Sequence, residues 1–193
     1  MRTAILTLAA AVTLAAANPS ADAKSGPVIP RKAPELAIQM VGGQTIGGRQ
    51  ALLSQFRGHP VALAFMITTC SHCQHLASVL GPIQQEYASK GVQVLGVLFN
   101  PEANMEGANF AKVWARNLFP IGMSTDQTVA DFVQHPPGMH YVPMMVFIDK
   151  TGIIRAQHLG INDSAFFTES VEIANIKKEI DNLMTPAPAA KKK

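Results

Sequence analysis

Two cysteines occur among the 193 residues, Cys70 and Cys73, and Ser71 and His72 separate them. A dithiol at this spacing can make and break disulfides: one thiolate attacks a sulfur, a mixed disulfide forms, and the second thiol resolves it. Cys70 is the expected attacker. It follows an apolar run, Val61 to Ile67, and precedes a helical pattern, so it falls where a buried strand hands over to a helix. A thiolate there faces unpaired backbone N–H groups and the positive end of the helix dipole, which lowers its pKa. Cys73, one turn on, is the expected resolver. His72 directly precedes it, and an imidazole at that place can stabilise the attacking thiolate and so favour the reduced protein.

Other uses of the pair are weaker. Structural zinc takes four ligands, and there is no second cysteine pair. A purely structural disulfide across two residues closes a very small loop and gains little chain entropy.

The elements that must position the dithiol alternate between strand and helix. Leu36 to Val41, the Gly42 and Gly43 turn and Thr45 to Ile46 predict an N-terminal hairpin. Leu52 to Phe56 leads through Gly58 and Pro60 into the continuous apolar strand Val61 to Ile67, a pattern expected of a strand covered on both faces. Leu76, Val79, Leu80, Ile83 and Tyr87 recur at helical spacing, with Gly81 and Pro82 predicting a kink. Gly91 ends this helix, and Val92 to Phe99 is a second buried strand, parallel to the first. A helix over Ala108 to Asn117 carries Phe110, Val113 and Trp114, with Trp114 read as core. Phe119 to Met123 reads as a short strand and Gln127 to Val133 as a short helix. Met144 to Asp149 and Ile153 to His158 flank Lys150, Thr151 and Gly152 as a hairpin. The final helix, Ala165 to Met184, places Ile173, Ile176, Ile180 and Leu183 on one face.

This order, with Val142 and Pro143 opening the late hairpin, resembles the thioredoxin fold, and within it the extracytoplasmic TlpA-like or redoxin group related to AhpC/TSA proteins. The resemblance runs from Ala33 to about Met184, and its most specific part is the dithiol together with the segment from Val142 to Gly152. It implies an α/β fold: a central mixed sheet flanked by helices, with an N-terminal hairpin and an insertion before a cis-proline. By the same resemblance Pro143 lies against the dithiol, and the Val142 backbone pairs with an extended substrate segment. Proline suits such a place because it lowers the cost of a cis bond and carries no N–H. The implied activity is thiol:disulfide exchange with protein thiols and disulfides, with a redox partner that resets the dithiol and no cofactor. The chain departs from the family pattern in three places. Thr69 stands where many TlpA-like proteins have tryptophan, Ala64 where thioredoxins bury an acid, and Leu76 where some reductants carry a glutamate.

Two alternatives stay open. A peroxiredoxin resembles this strand-to-helix placement but has a threonine three residues before its cysteine, where this chain has Ile67. A copper carrier of the Sco type would use soft ligands, for which His75, His135, Met139, His140, Met144 and Met145 are available beside the dithiol.

Composition bounds the rest. Met1 and Arg2 precede an apolar stretch, Ala4 to Ala17, and a small-residue pattern through Ala23, which reads as a secretory signal cleaved after Ala23 or, second, after Ala17. A retained anchor is the alternative, and a periplasmic or secreted location follows from the first reading. Residues 24–32 read as a flexible linker, 33–184 as one domain, and 185–193 as a disordered Lys-rich tail. The net charge of +3 is equalled by Lys191, Lys192 and Lys193, so no basic face and no nucleic-acid partner is implied.

Overall fold

The computed structural model describes residues 27–42, 49–136, 138, 141–160 and 163–185. Within them the strands are β1 (Arg31–Lys32), β2 (Ala37–Met40), β3 (Gln50–Leu52), β4 (Val61–Met66), β5 (Gln93–Leu98), β6 (Ile121–Met123), β7 (Met144–Ile148) and β8 (Ile153–Leu159). The helices are α1 (Ser71–Tyr87), α2 (Ala103–Val113), α3 (Asp126–Val133) and α4 (Glu172–Met184). All eight strands join one sheet in the order β1-β8-β7-β4-β5-β6-β2-β3. The pairs β4 with β5 and β5 with β6 are parallel, while β4 with β7 and β7 with β8 are antiparallel. This is the mixed sheet of a thioredoxin-like fold.

Every residue of β4 is buried, which is why its sequence shows no alternation. Alternate side chains nevertheless divide between two cores. Ala62, Ala64 and Met66 join the cluster that holds Cys73 and Leu76 of α1, Phe110 of α2 and Ile176 and Ile180 of α4. Val61, Leu63 and Phe65 join the opposite cluster, with Leu36, Ile38, Val129 and Phe132. The small residues on the first face leave room for α1 to lie close to the strand that delivers its N-terminus.

Several boundaries differ from the sequence reading. Arg31 and Lys32, assigned to the flexible linker, pair as β1 with Ile154 and Ile153, and the Arg31 guanidinium donates to the Phe132 carbonyl at 2.7 Å. The early hairpin pairs β2 with β3, so its second strand is Gln50–Leu52; Thr45 and Ile46 lie outside the described residues. Helix α1 continues through Gly81 and Pro82 to Tyr87. Helix α2 starts at Ala103, five residues before the expected Ala108, because Gly107 does not interrupt it. A Cβ there would stand 3.0 Å from Val41 Cγ1, so glycine lets the helix approach that neighbour. Left-handed Arg116 and Asn117 follow its end. Trp114 is 37 % exposed and is not a core residue.

Helix α4 starts at Glu172, not Ala165. Phe166 turns inward ahead of it and stacks on the His158 ring at 3.7 Å, and Val171 and Glu172 donate their N–H groups to the Thr168 carbonyl. Ile176, Ile180 and Leu183 face the core as expected, but Ile173 is 47 % exposed. The buried stripe begins instead at Glu172, four residues before Ile176.

The signal segment, the Met139 and His140 positions and the tail from Pro186 lie outside the described residues. Among the described residues no helix is long and apolar enough to cross a membrane.

Candidate functional site

Cys70 caps α1. Its backbone is extended (φ −90°, ψ 120°), and its Sγ accepts the Cys73 N–H at 3.3 Å, the role an Asp or Ser oxygen plays at an ordinary N-cap. Both cysteines are free thiols. Cys70 is partly exposed while Cys73 is fully buried against Ala64, Leu76 and Ala77.

The environments drive the two thiols apart. Hydrogen bonding from the Cys73 thiol, outweighing partial burial and joined by the Cys73 and His72 N–H groups and the His72 imidazole, brings Cys70 down to about 6. Burial, reinforced by the hydrogen bond to Cys70, pushes Cys73 far up. One thiol is therefore held ready as thiolate and the other as the proton-bearing donor beside it.

The loop before Cys70 is fixed by a side chain from the neighbouring strand. Asn100, just beyond β5, accepts the Thr68 N–H at 3.0 Å through Oδ1 and donates to Thr68 Oγ1 and Glu102 Oε2, each at 2.8 Å. Gln74, inside α1, donates to the Thr68 carbonyl at 2.9 Å. Thr68 and Asn100 are both buried, so these bonds replace water. Sequence reasoning missed Asn100; a polar residue closing the apolar run Val92 to Phe99 was the available signal. Replacing Asn100 with Ala leaves the Thr68 N–H unpaired and is expected to cost about 1–3 kcal/mol. The check is a lower urea midpoint at unchanged m.

Pro143 is buried and its bond to Val142 is cis. The register Phe65 with Met144, carried one step outward, sets Pro143 beside Met66, at the end of the sheet from which Cys70 emerges. Gly160 holds this loop in place: its N–H donates to the Tyr141 carbonyl at 2.8 Å and the Pro143 carbonyl at 3.0 Å. A Cβ on Gly160 would sit 2.9 Å from the Val142 carbonyl oxygen, so no side chain fits. Val142 is partly exposed, and among the described residues no hydrogen bond engages its backbone. The fold thus brings Cys70, His72, Cys73, Val142 and Pro143 to one end of the sheet.

The soft ligands do not gather in the same way. Met144 and Met145 are buried in opposite cores, and the His135 ring meets Tyr141 in a tilted contact at 4.5 Å. Among the described residues no three His, Cys, Asp or Glu side chains come together as metal ligands.

One acidic feature was not legible in the sequence. His75, named there only as a soft ligand beside the dithiol, approaches the buried Glu172 carboxylate at 3.2 Å. Burial raises the Glu172 pKa, with Glu169 adding to the rise, while His75 and His72 oppose it. Ala64 and Leu76 are both fully buried apolar side chains.

Comparison with known proteins agrees with the fold. The AhpC/TSA family matches residues 29–157. No curated protein matches. A crystal structure described as a putative thiol:disulfide interchange protein DsbE from Chlorobium tepidum is similar at TM-score 0.64 and 22 % identity, covering 81 % of this chain and 97 % of that one. A thioredoxin family thiol:disulfide interchange protein from Chlorobium tepidum TLS gives 0.63 and 19 %, covering 82 % and 99 %. The pneumococcal exposed lipoprotein thioredoxin (Etrx1) from Streptococcus pneumoniae gives 0.56 and 21 %, covering 75 % and 99 %.

Proposed function

Because the chain belongs to the AhpC/TSA family, with its one dithiol capping a helix in a thioredoxin-like fold, we propose that it is an extracytoplasmic thiol:disulfide oxidoreductase acting on protein thiols and disulfides. The observation that carries this reading is the opposed ionisation of the two thiols, Cys70 lowered to about 6 and Cys73 raised. That difference assigns the order of events. In the oxidising direction a substrate thiolate attacks the Cys70 sulfur of the Cys70–Cys73 disulfide, and Cys73 leaves and takes a proton. A second substrate thiolate then attacks the substrate sulfur of the mixed disulfide, releasing Cys70 as thiolate. The substrate is oxidised by two electrons and the dithiol reduced by two. A redox partner restores the disulfide.

Direction follows from which form is favoured. Hydrogen bonds and the neighbouring imidazole stabilise the Cys70 thiolate, which exists only in the reduced protein, so the disulfide is the less favoured form. No carboxylate replaces Ala64 or Leu76 to carry protons for Cys73 in the reductant's manner. The chain therefore acts as an oxidant. An N-terminal apolar segment of signal type supports a location outside the cytoplasm, as does the description of one structural relative as an exposed lipoprotein. The Val142 backbone, which no other described residue engages in a hydrogen bond, offers a substrate strand a place to pair beside the dithiol.

Equilibration in graded glutathione buffers, read by thiol alkylation, tests both activity and direction. A potential above the about −270 mV of a thioredoxin, on the side of the about −120 mV of a strong oxidant, is expected, and one near about −270 mV would reverse the assigned direction. Failure to equilibrate with glutathione at all would remove exchange as the activity.

A further inference from the structure

Beside the dithiol lies an open cavity of about 430 Å³ between the first turn of α1 and the turn that leads into α4. Ser71 and His72, both inside the dithiol motif, form one wall, and His75, Phe167, Glu169 and Glu172 contribute to the remainder. Two carboxylates line it and no lysine or arginine does. Glu172 is 2 % exposed, and its Oε2, although 3.2 Å from His75 Nε2, has no hydrogen-bond partner of acceptable geometry. A buried carboxylate oxygen left short of donors costs free energy, and such groups mark places that take a ligand. Glu169 stands exposed at the rim, and Phe167, packed edge-on against Phe166 at 5.0 Å, offers an aromatic face.

We propose that this cavity receives a basic side chain, the guanidinium of an arginine or the ammonium of a lysine, borne by the protein substrate near the cysteine that exchanges with Cys70. The inference rests on the thiol:disulfide reading and names the substrate class it selects. A guanidinium supplies the donors that Glu172 Oε2 lacks, pairs with Glu169 on entry and lies against the Phe167 ring. Adjacency in the chain favours this as well, since Ser71 in the cavity wall follows Cys70 directly and a cation held there brings its cysteine toward the sulfur.

The test uses the reduced full chain and two short peptides identical but for one residue beside a single cysteine, arginine in one and glutamine in the other. Each cysteine is presented as a mixed disulfide with 2-nitro-5-thiobenzoate. Cys70 thiolate attacks the peptide sulfur and expels the coloured thiolate. Cys73 then loses its proton and attacks Cys70, releasing the peptide thiol, so the two protein thiols are oxidised as the mixed disulfide is reduced. The ratio of rates, arginine over glutamine, is expected to be about tenfold at low salt, the scale of one charge-assisted hydrogen bond, and to shrink as salt is raised. Glu172→Gln and, separately, Glu169→Gln should bring the ratio toward about 1; Glu169 is exposed, so its variant keeps the test open if the buried one fails to fold. A wild-type ratio of about 1, or a ratio that both folded variants preserve, would overturn the cavity's role while leaving exchange intact. Absence of colour with either peptide would overturn the exchange reading itself.

Discussion

Cys73→Ala should accumulate covalent adducts with substrate proteins, visible as higher bands on non-reducing gels that collapse on reduction, whereas Cys70→Ala should form none and lose exchange altogether. The reason is the division of labour in the site. Cys70 is the partly exposed thiol whose Sγ sits at the N-terminus of α1, while Cys73 is fully buried in the core that includes Ala64, Leu76 and Ala77. An external sulfur reaches only the first of these. Once Cys70 is joined to a substrate, release requires the thiol next to it, whose N–H is 3.3 Å from the Cys70 sulfur. Removing that thiol turns a short-lived intermediate into an end product. The loss of exchange in Cys70→Ala is expected to exceed about a thousandfold, since Cys73 is both buried and held protonated. Equal trapping by both variants, or trapping by neither, would show that Cys70 is not the attacking sulfur.

How far the sequence carried this picture depended on what kind of signal each element left. The strands β4, β5 and β7 were legible because a continuous apolar run between turn residues marks a strand covered on both faces, and the dithiol was legible because its two cysteines are unique in the chain. Pro143 gained meaning only jointly with the dithiol, and the antiparallel pairing of β4 with β7 is what brings it to the same end. Residues that act across the fold left weaker traces. Asn100 meets Thr68 over 32 positions of sequence, and the local trace is only that a polar residue closes the apolar run ending at Phe99. Glu172 was hidden by the assumption that a charged residue faces water. Its spacing to Ile176, Ile180 and Leu183 is that of a buried stripe, yet the apolar Ile173 next to it drew the face one position off. Arg31 and Lys32 looked like linker because their strand is two residues long and is held by partners distant in sequence, β8 and the Phe132 carbonyl that Arg31 reaches.

The pH dependence of the site follows from the same asymmetry and gives the second large effect. An unfolded cysteine titrates near about 8.5. In the folded, reduced protein Cys70 titrates at about 6, held down by the Cys73 thiol, backbone N–H groups and His72. Because this folded value is depressed, the stabilisation of the reduced form is complete above about 8.5, declines as pH falls, and is gone below about 6. Two measurements should show it. Alkylation of Cys70 by iodoacetamide in the Cys73→Ala background should still rise with pH, but at a midpoint above about 6, since the strongest contributor to the low value has been removed; in the wild type the midpoint should be about 6. The reduction potential should fall by about 60 mV per pH unit below that midpoint, where reduction takes up two protons. Above it only Cys73 takes a proton, and the slope should halve to about 30 mV. His72→Pro removes both the imidazole and the N–H that reaches Cys70, so it should move the midpoint upward and lower the potential at neutral pH. A slope that stays at about 60 mV through pH 8 would mean that Cys70 is not a thiolate in the working protein, and the oxidant assignment would fall with it.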